Sequence, residues 1–489
     1  MLIMPLISLL HTNARRGVLF FFLAVFCSAR TACAVDAIDS RPNFIFVFAD
    51  DLGLGDLKTN GHPYATKTDN LDRLASEGTS FHQFHVTGNS CPNSRAGIMT
   101  SRNPSWYPSY TEDYGFNGTM PVTKVLKDAG YKIGHIGKWN IGPKPAGGGM
   151  PYEPYGMDDV RITGSISDDP RGREGKRFDE ALDFIEQSAD TPFYLNLWIQ
   201  APHSPIDPPQ SFIDEFSDLV VDRDLFGLDM QNTFDTIESY GGDISTSMQI
   251  YLGEVYAVDL QFGRMMDKLD ELGIADNTVL VFSSDNGPEA VGDAEELMHT
   301  GWSKGLRGGK HTWYQGGVVV PFIVRWPGRV PAGKVNTQSV ISALDWLPTV
   351  GALAEADVPT QMIEGEDLSD VFLGSDRSRI NPIFWRNLKN FNVVTMRYGQ
   401  WKFFENTKEL YHLEGDPAEL DNLYDKYPSI VAALETTISE WTATLPLSHV
   451  RLPEEQLPYD WTIPATVIGP PDIPFIHGPP TGVPVTGSP

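Results

Sequence analysis

Five short, mostly apolar runs recur along much of the chain: 43–48 (NFIFVF), 131–136 (YKIGHI), 193–199 (FYLNLWI), 278–283 (TVLVFS) and 318–324 (VVVPFIV). Runs of this length without polar alternation are the pattern of strands buried on both faces. Stretches of helical period lie between them. Residues 68–75 start at a capping Thr68, place Leu71 and Leu74 on one face and stop at Gly78, and 177–187 and 249–272 read similarly. This alternation predicts an α/β fold with a large, mostly parallel sheet between helices.

From about residue 381 the pattern changes. Runs at 383–385, 393–398, 401–404 and 409–413, separated by polar turns, predict an antiparallel meander, and 429–445 predicts one amphipathic helix packed on it. A chain of 489 residues exceeds the roughly 250–300 at which single cores stop growing, so more than one domain is expected. The boundaries fall at 41–375 for a large domain and 376–450 for a smaller α+β one, with a proline-rich, extended tail over 451–489.

The first residues place Arg15 and Arg16 before an apolar run, 17–26, and then small residues ending at Ala34. That order predicts a signal peptide over 1–34, and the run is well short of the roughly 20 residues of a spanning helix. A secreted or periplasmic protein is expected, with no membrane attachment after cleavage. The net charge of −27 argues against nucleic acid or anionic lipid as a partner. Two of the three cysteines, Cys27 and Cys33, lie in the leader, which leaves Cys91 alone in the mature chain. A lone thiol in an oxidising compartment is either buried and inert or used.

Asp50 and Asp51 follow the first strand directly, and Asp285 and Asn286 follow the run 278–283. Ligand sites of open α/β sheets lie at the carboxyl ends of strands, so both pairs should converge. Oxygen ligands of this kind suit calcium or magnesium better than zinc. Each pair alone is also an ordinary turn sequence. Cys91 stands four residues before Arg95 at what reads as a helix start, where the helix dipole and the guanidinium would favour negative charge on the sulfur. The plainer alternative is a buried cysteine beside a surface arginine.

These residues carry a resemblance. From residue 41 to about 444 the chain resembles the formylglycine-dependent sulfatases of the alkaline phosphatase superfamily. Residues 41–56 (RPNFIFVFADDLGLGD) are similar to that family's opening strand and metal-binding turn, 91–100 (CPNSRAGIMT) to its C-x-P-x-R signature, and 137–142 (GKWNIG) to its G-K-W-H-x-G. Further matches are 201–205 (APHSP), 284–288 (SDNGP), 305–317 (GLRGGKHTWYQGG) and 411–417 (YHLEGDP). Each is short; their shared order makes the resemblance specific.

The resemblance implies an alkaline phosphatase-like fold and one divalent cation, calcium before magnesium, held by Asp50, Asp51, Asp285 and Asn286 together with the group made from Cys91. It implies that a formylglycine-generating enzyme oxidises Cys91 during export, and that a hydroxyl of the hydrated aldehyde attacks the sulfur of a carbohydrate or other small sulfate ester. Lys138, His203 and Lys310 would surround the sulfate, with His203 protonating the departing alcohol, and Arg95 would steady the hydrate. His62, His82, His85, His135, His299, His311 and His412 read as structural or substrate-contact groups, His311 being the best placed to act because it adjoins Lys310.

Two positions depart from the pattern. Pro92 stands one residue after the cysteine and Asn93 takes the usual proline position, in a segment that the maturation enzyme reads. Asn140 replaces a histidine thought to serve as a base in sulfate release, and the resemblance implies that it borders the substrate. Three functions fit this picture: a sulfatase, a phosphodiesterase or phosphonate hydrolase of the same superfamily, and a sulfatase-fold binding protein that has lost turnover.

Overall fold

The computed structural model describes residues 41–445, less 108–110, 116–118, 143–154, 163–168, 360–362 and 387–392, together with Val483. The expected leader over 1–34 and, Val483 apart, the tail over 451–489 lie outside the described residues.

Among the described residues, ten strands precede the C-terminal meander: β1 (Asn43–Asp50), β2 (Thr79–Phe81), β3 (Phe84–His85), β4 (Lys132–Gly137), β5 (Asp159–Arg161), β6 (Phe193–Pro202), β7 (Thr278–Ser284), β8 (Phe322–Arg325), β9 (Lys334–Asn336) and β10 (Ile341–Ser342). Eight of them form one sheet in the order β5-β4-β6-β1-β7-β8-β2-β9, while β3 and β10 pair apart. β1 lies between β6 and β7, parallel to both. β8 alone runs against its neighbours, β7 and β2. The sheet is therefore mixed and mostly parallel, as the alternation of runs and helices predicts.

The period of two along β1 explains how the sheet is buried on both faces. Phe44, Phe46 and Phe48 enter one apolar cluster, together with Trp346 and the Ile98 and Met99 side chains of the helix Cys91–Thr100. Ile45, Val47 and Ala49 enter the other, against Met248, Leu252, Val255 and Phe262 of the long helix Ile244–Glu271. Each phenylalanine is fully buried, worth about 2–3 kcal/mol relative to exposure. β1 is thus held on both faces and along both edges, which makes its carboxyl end a rigid place for chemistry.

Two local expectations need correction. The run 318–324 does not form one strand: Gln315–Val318 is a helical turn, and pairing with β7 starts only at Phe322, after Pro321, which has no N–H for the ladder. Thr68 precedes the helix Asp69–Glu77 but does not cap it with its side chain; its hydroxyl accepts from the Lys58 N–H. The first amides of that helix, those of Asn70 and Leu71, donate instead to Asp259 on the long helix.

The C-terminal meander forms as expected. β11 (Ile383–Arg386), β12 (Val394–Tyr398), β13 (Trp401–Phe404) and β14 (Glu409–His412) are antiparallel in sequence order. The helix Pro428–Thr444 covers them, with Leu434, Ile438 and Trp441 buried against Met396, Phe403 and Leu410. Trp441 stacks on Phe384 at 4.4 Å between ring centroids.

Candidate active site

Four adjacent parallel strands deliver the predicted residues from their carboxyl ends. β1 ends at Asp50 and is followed by Asp51, β7 is followed by Asp285 and Asn286, β6 by His203, and β4 by Lys138. The helix Cys91–Thr100 starts against this edge, and Lys310 arrives on the loop before the 315–318 turn. The strand order β4-β6-β1-β7 therefore assembles residues that lie far apart in the chain.

The charges are packed in pairs. Lys138 Nζ bonds Asp50 Oδ2, and Lys310 Nζ bonds Asp51 Oδ2 at 2.8 Å and Glu289 Oε2 at 3.1 Å. Burial works against charge on both lysines, but Asp50 and Asp51 raise their pKa values above that of an ordinary lysine. They act as fixed cations. Burial also pushes the carboxyl groups up, yet Lys138 and Arg95 hold Asp50 well below the usual carboxylate range. For Asp51 and Asp285 burial and the neighbouring Asp50 charge win, and their pKa values rise.

His203 Nε2 lies 3.8 Å from Asp51 Oδ2, while Nδ1 lies 2.8 Å from the Ser204 carbonyl. A carbonyl can only accept, so Nδ1 carries a hydrogen and Nε2 is the atom turned to the site. The loop is clamped from behind by Arg173, which donates to the His203 and Pro205 carbonyls and to Glu254.

Cys91 is buried, and its Sγ donates to Asp50 Oδ1 at 3.2 Å. Here the structure corrects the expectation of negative charge on the sulfur. Burial first, then the Asp285, Asp50 and Asp51 carboxylates, push the thiol well above its ordinary pKa and outweigh Lys138. The unmodified residue is a neutral thiol. Arg95 is wholly buried, not a surface arginine, and its Nε and Nη2 donate to Asp285 Oδ2 at 2.9 and 2.7 Å, with Nη2 3.5 Å from Asp50 Oδ2. Its Nη1 donates to the Lys138 carbonyl at 3.4 Å, so it ties these carboxylates to the backbone at Lys138. Its guanidinium also lies over the Trp198 ring at 5.1 Å.

Asn140 has a φ of 52°, a left-handed conformation that asparagine and histidine both adopt more readily than most residues. Asn93 is inside the fold, its Oδ1 accepting from the Thr111 hydroxyl at 3.1 Å. His311 is exposed, while burial drives His62 and His135 down to about 3, so both stay neutral structural groups. Reading the sequence missed Glu289 and Arg173. Glu289 follows the 284–288 motif directly, a position from which its contact with Lys310 could have been anticipated, whereas Arg173 had no local signal; His299, bonded to Ser204 at 2.6 Å, holds the His203 loop as a structural histidine.

The donor set fits a hard divalent cation. One ligating atom each from Asp50, Asp51, Cys91 and Asp285 lies within 4.8 Å of the others, and all four residues are buried. Asn286 spends its Nδ2 on Asp51 and Gly287, which leaves its buried Oδ1 with no hydrogen-bond partner. A buried acceptor without a donor is costly, and a cation beside the three carboxylates would satisfy it.

Fixed cations beside buried carboxylates at one sheet edge suit a small oxyanion held together with a divalent cation. The sulfatase family model matches residues 42–356, and a model of the N-sulphoglucosamine sulphohydrolase C-terminal region matches 309–444. Arylsulfatase A of Bos taurus is 31% identical over 417 residues, covering 78% of each chain. An N-acetylgalactosamine-6-O-sulfatase of Bacteroides thetaiotaomicron is 26% identical, covering 81% of this chain and 92% of its own. The crystal structure of Ps i-CgsB in complex with k-i-k-neocarrahexaose superposes with a TM-score of 0.68 at 24% identity, over 82% of this chain and 93% of the other. The chain belongs to the sulfatase family and is a sulfuric ester hydrolase.

Proposed function

We propose that this sulfatase cleaves the sulfate ester of a carbohydrate or other small alcohol, using a formylglycine made from Cys91 and one divalent cation, calcium before magnesium, held by Asp50, Asp51, Asp285 and Asn286. The observation that carries the reading is the meeting of Cys91 with three carboxylates, two fixed cations and the unpartnered Asn286 Oδ1 at one sheet edge. A sugar substrate is supported by the relative named for N-acetylgalactosamine 6-sulfate. The reading includes export, with the formylglycine-generating enzyme acting on Cys91 before folding.

When bound, the cation would supply Lewis acidity to the sulfate and lower the pKa of the attacking hydroxyl. Lys138 and Lys310 face the ester oxygens with permanent charge, where electrostatic stabilisation of the developing anion is strongest. His203 presents Nε2, and a hydrogen carried on that nitrogen would pass to the departing alcohol oxygen. Arg95 keeps the Asp285 carboxylate in place. Asn140 can hydrogen-bond but cannot take a proton near neutral pH, which favours as second reading a protein that binds its ester and turns it over poorly.

Sulfate release before and after treatment with a chelator tests the metal assignment. Activity should vanish on chelation and return with calcium or magnesium. Full activity in the stripped protein would overturn it, and preference for phosphate diesters or phosphonates over sulfate esters in parallel assays would move the chain to the phosphorus-ester reading.

A further inference from the structure

Lys310 reaches the site from a loop, on a flexible four-carbon stem, yet its side chain is only 6% exposed. Two adjacent residues hold it at both ends. The Pro288 carbonyl accepts from the Lys310 backbone N–H at 2.8 Å, and Glu289 Oε2, one residue on, accepts from Nζ at 3.1 Å. The approach is close enough that a Cβ on Gly309 would lie 2.5 Å from the Pro288 oxygen, so the position before Lys310 requires glycine. The base and the tip of the side chain are thus tied to one dipeptide.

An ammonium group carries three hydrogens. Asp51 Oδ2 takes one at 2.8 Å and Glu289 takes a second, and among the described residues no further acceptor engages Nζ. Tetrahedral nitrogen then fixes the direction of the third. Asp51, Glu289 and His203 each bring one atom within 4.8 Å of the others, so this clamp sits beside the histidine assigned to the departing alcohol. A carboxylate here works against the binding of an anionic ester, and Asp51 alone already gives Lys310 an ion pair. Asp51, however, is also a proposed cation ligand, and its Oδ1 accepts from Asn286. Glu289 stands outside the set Asp50, Asp51, Asp285 and Asn286, so it anchors Lys310 without sharing that task.

We infer that Glu289 is a positioning residue: it fixes the tip of Lys310 so that the third ammonium hydrogen is aimed at the ester, and its reach, rather than its charge, does this. The inference rests on the reading of Lys310 as a cation facing a sulfate ester, and deepens it. Lys310 and Glu289 also stand on the wall of a cavity of about 590 Å³, which Asp229 and Leu420 line as well, so a small reagent has a path to the ammonium once the clamp opens.

Three substitutions separate reach from charge. Glu289→Asp keeps the charge and withdraws the carboxylate by one methylene, Glu289→Gln drops the charge and keeps an acceptor at the same reach, and Glu289→Ala removes both. With nitrophenyl sulfate, the aspartate and alanine variants should each lose about tenfold in kcat with KM little changed, as expected when a stabilising cation is misplaced, and glutamine should recover most of that loss. In a Lys310→Ala background, Glu289→Asp should cost less than about twofold more, because the two residues act as one unit. Limited acetylation of the substrate-free protein, read as the mass of the peptide holding Lys310, follows the clamp without turnover. Lys310 should label faster in the aspartate and alanine variants than in the wild type or the glutamine variant, with the other lysines as internal reference. Aspartate and glutamine carry the comparison should alanine unsettle the loop. Aspartate at the wild-type rate with glutamine as slow as alanine would overturn the inference. So would a gain in kcat/KM on removing the carboxylate, equal losses with and without Lys310, or unchanged labelling. Inertness of the wild type toward every sulfate ester would remove the sulfatase reading and the role in turnover with it, while the labelling would still show whether Glu289 holds Lys310.

Discussion

At the carboxyl ends of β4, β6, β1 and β7, Asp50, Asp51 and Asp285 are crowded among Arg95, Lys138 and Lys310; beneath the C-terminal meander, Arg397, Lys402 and Glu419 are buried as deeply. The first cluster contains carboxylates that raise one another's pKa values, borders a cavity and leaves the Asn286 Oδ1 unpartnered. In the second, Lys402 pairs with Glu419 at 2.9 Å and bonds Gln315, while Arg397 bonds His85 and the Gly399 carbonyl. Burial there pulls Lys402 down to about 8 and Arg397 to about 9, and the protein supplies the partners from within. Buried charge alone therefore does not mark a site. What marks it is repulsion left for a ligand to relieve, at a place a ligand can reach.

Substitutions should separate the two clusters. Replacing Lys138, His203 or Lys310 with alanine should slow sulfate release by about two orders of magnitude or more, as loss of an electrostatic stabiliser does. A rate near wild type for any one of them would take it out of the site. Lys402→Met should do the reverse, costing about 3 kcal/mol in denaturant unfolding because Glu419 is left buried and unpaired, with a smaller change in kcat.

The pH dependence of that second effect has a definite sign. The folded state lowers the Lys402 pKa from 10.5 to about 8, so between those values the unfolded chain binds more protons and wild-type stability rises with pH. The methionine variant lacks this gain. The stability gap between them should therefore widen from pH 8 upward, and a constant gap would contradict the burial assigned to Lys402.

Much of the site was legible because it sits where short local signals end. Asp50 and Asp51 close an apolar run, Asp285 and Asn286 close another, and the fold class follows from the spacing of those runs. Partnerships across long separations were not legible. Arg95 and Asp285 are 190 positions apart, and nothing local tells a helix-start arginine that binds a carboxylate from one that faces solvent. The neutral state of Cys91 was hidden for the same reason, since three carboxylates from two strands outweigh a helix terminus. The cavity wall was invisible too, because Asp229 and Leu420 meet only through the docking of the C-terminal region.

The smallest expected effects belong to the two departures from the family pattern. Asn140→His can occupy the same left-handed backbone and would restore a base, so it should speed the release step severalfold without altering how much Cys91 is modified. Asn93→Pro should raise the modified fraction and leave the rate per modified chain unchanged, at the loss of the bond from Thr111. If both leave turnover and modification as they were, the reading of this chain as a binding protein with poor turnover loses its motive.

The central claim is that the nucleophile is made from Cys91, and the mass of the tryptic peptide 74–95, taken from purified protein with measured sulfatase activity, tests it most directly. The account predicts a formylglycine peptide, lighter than the cysteine form by the exchange of a thiol for an aldehyde oxygen and absent from Cys91→Ala, which should be inactive. An intact thiol at residue 91 in a fully active preparation would contradict it.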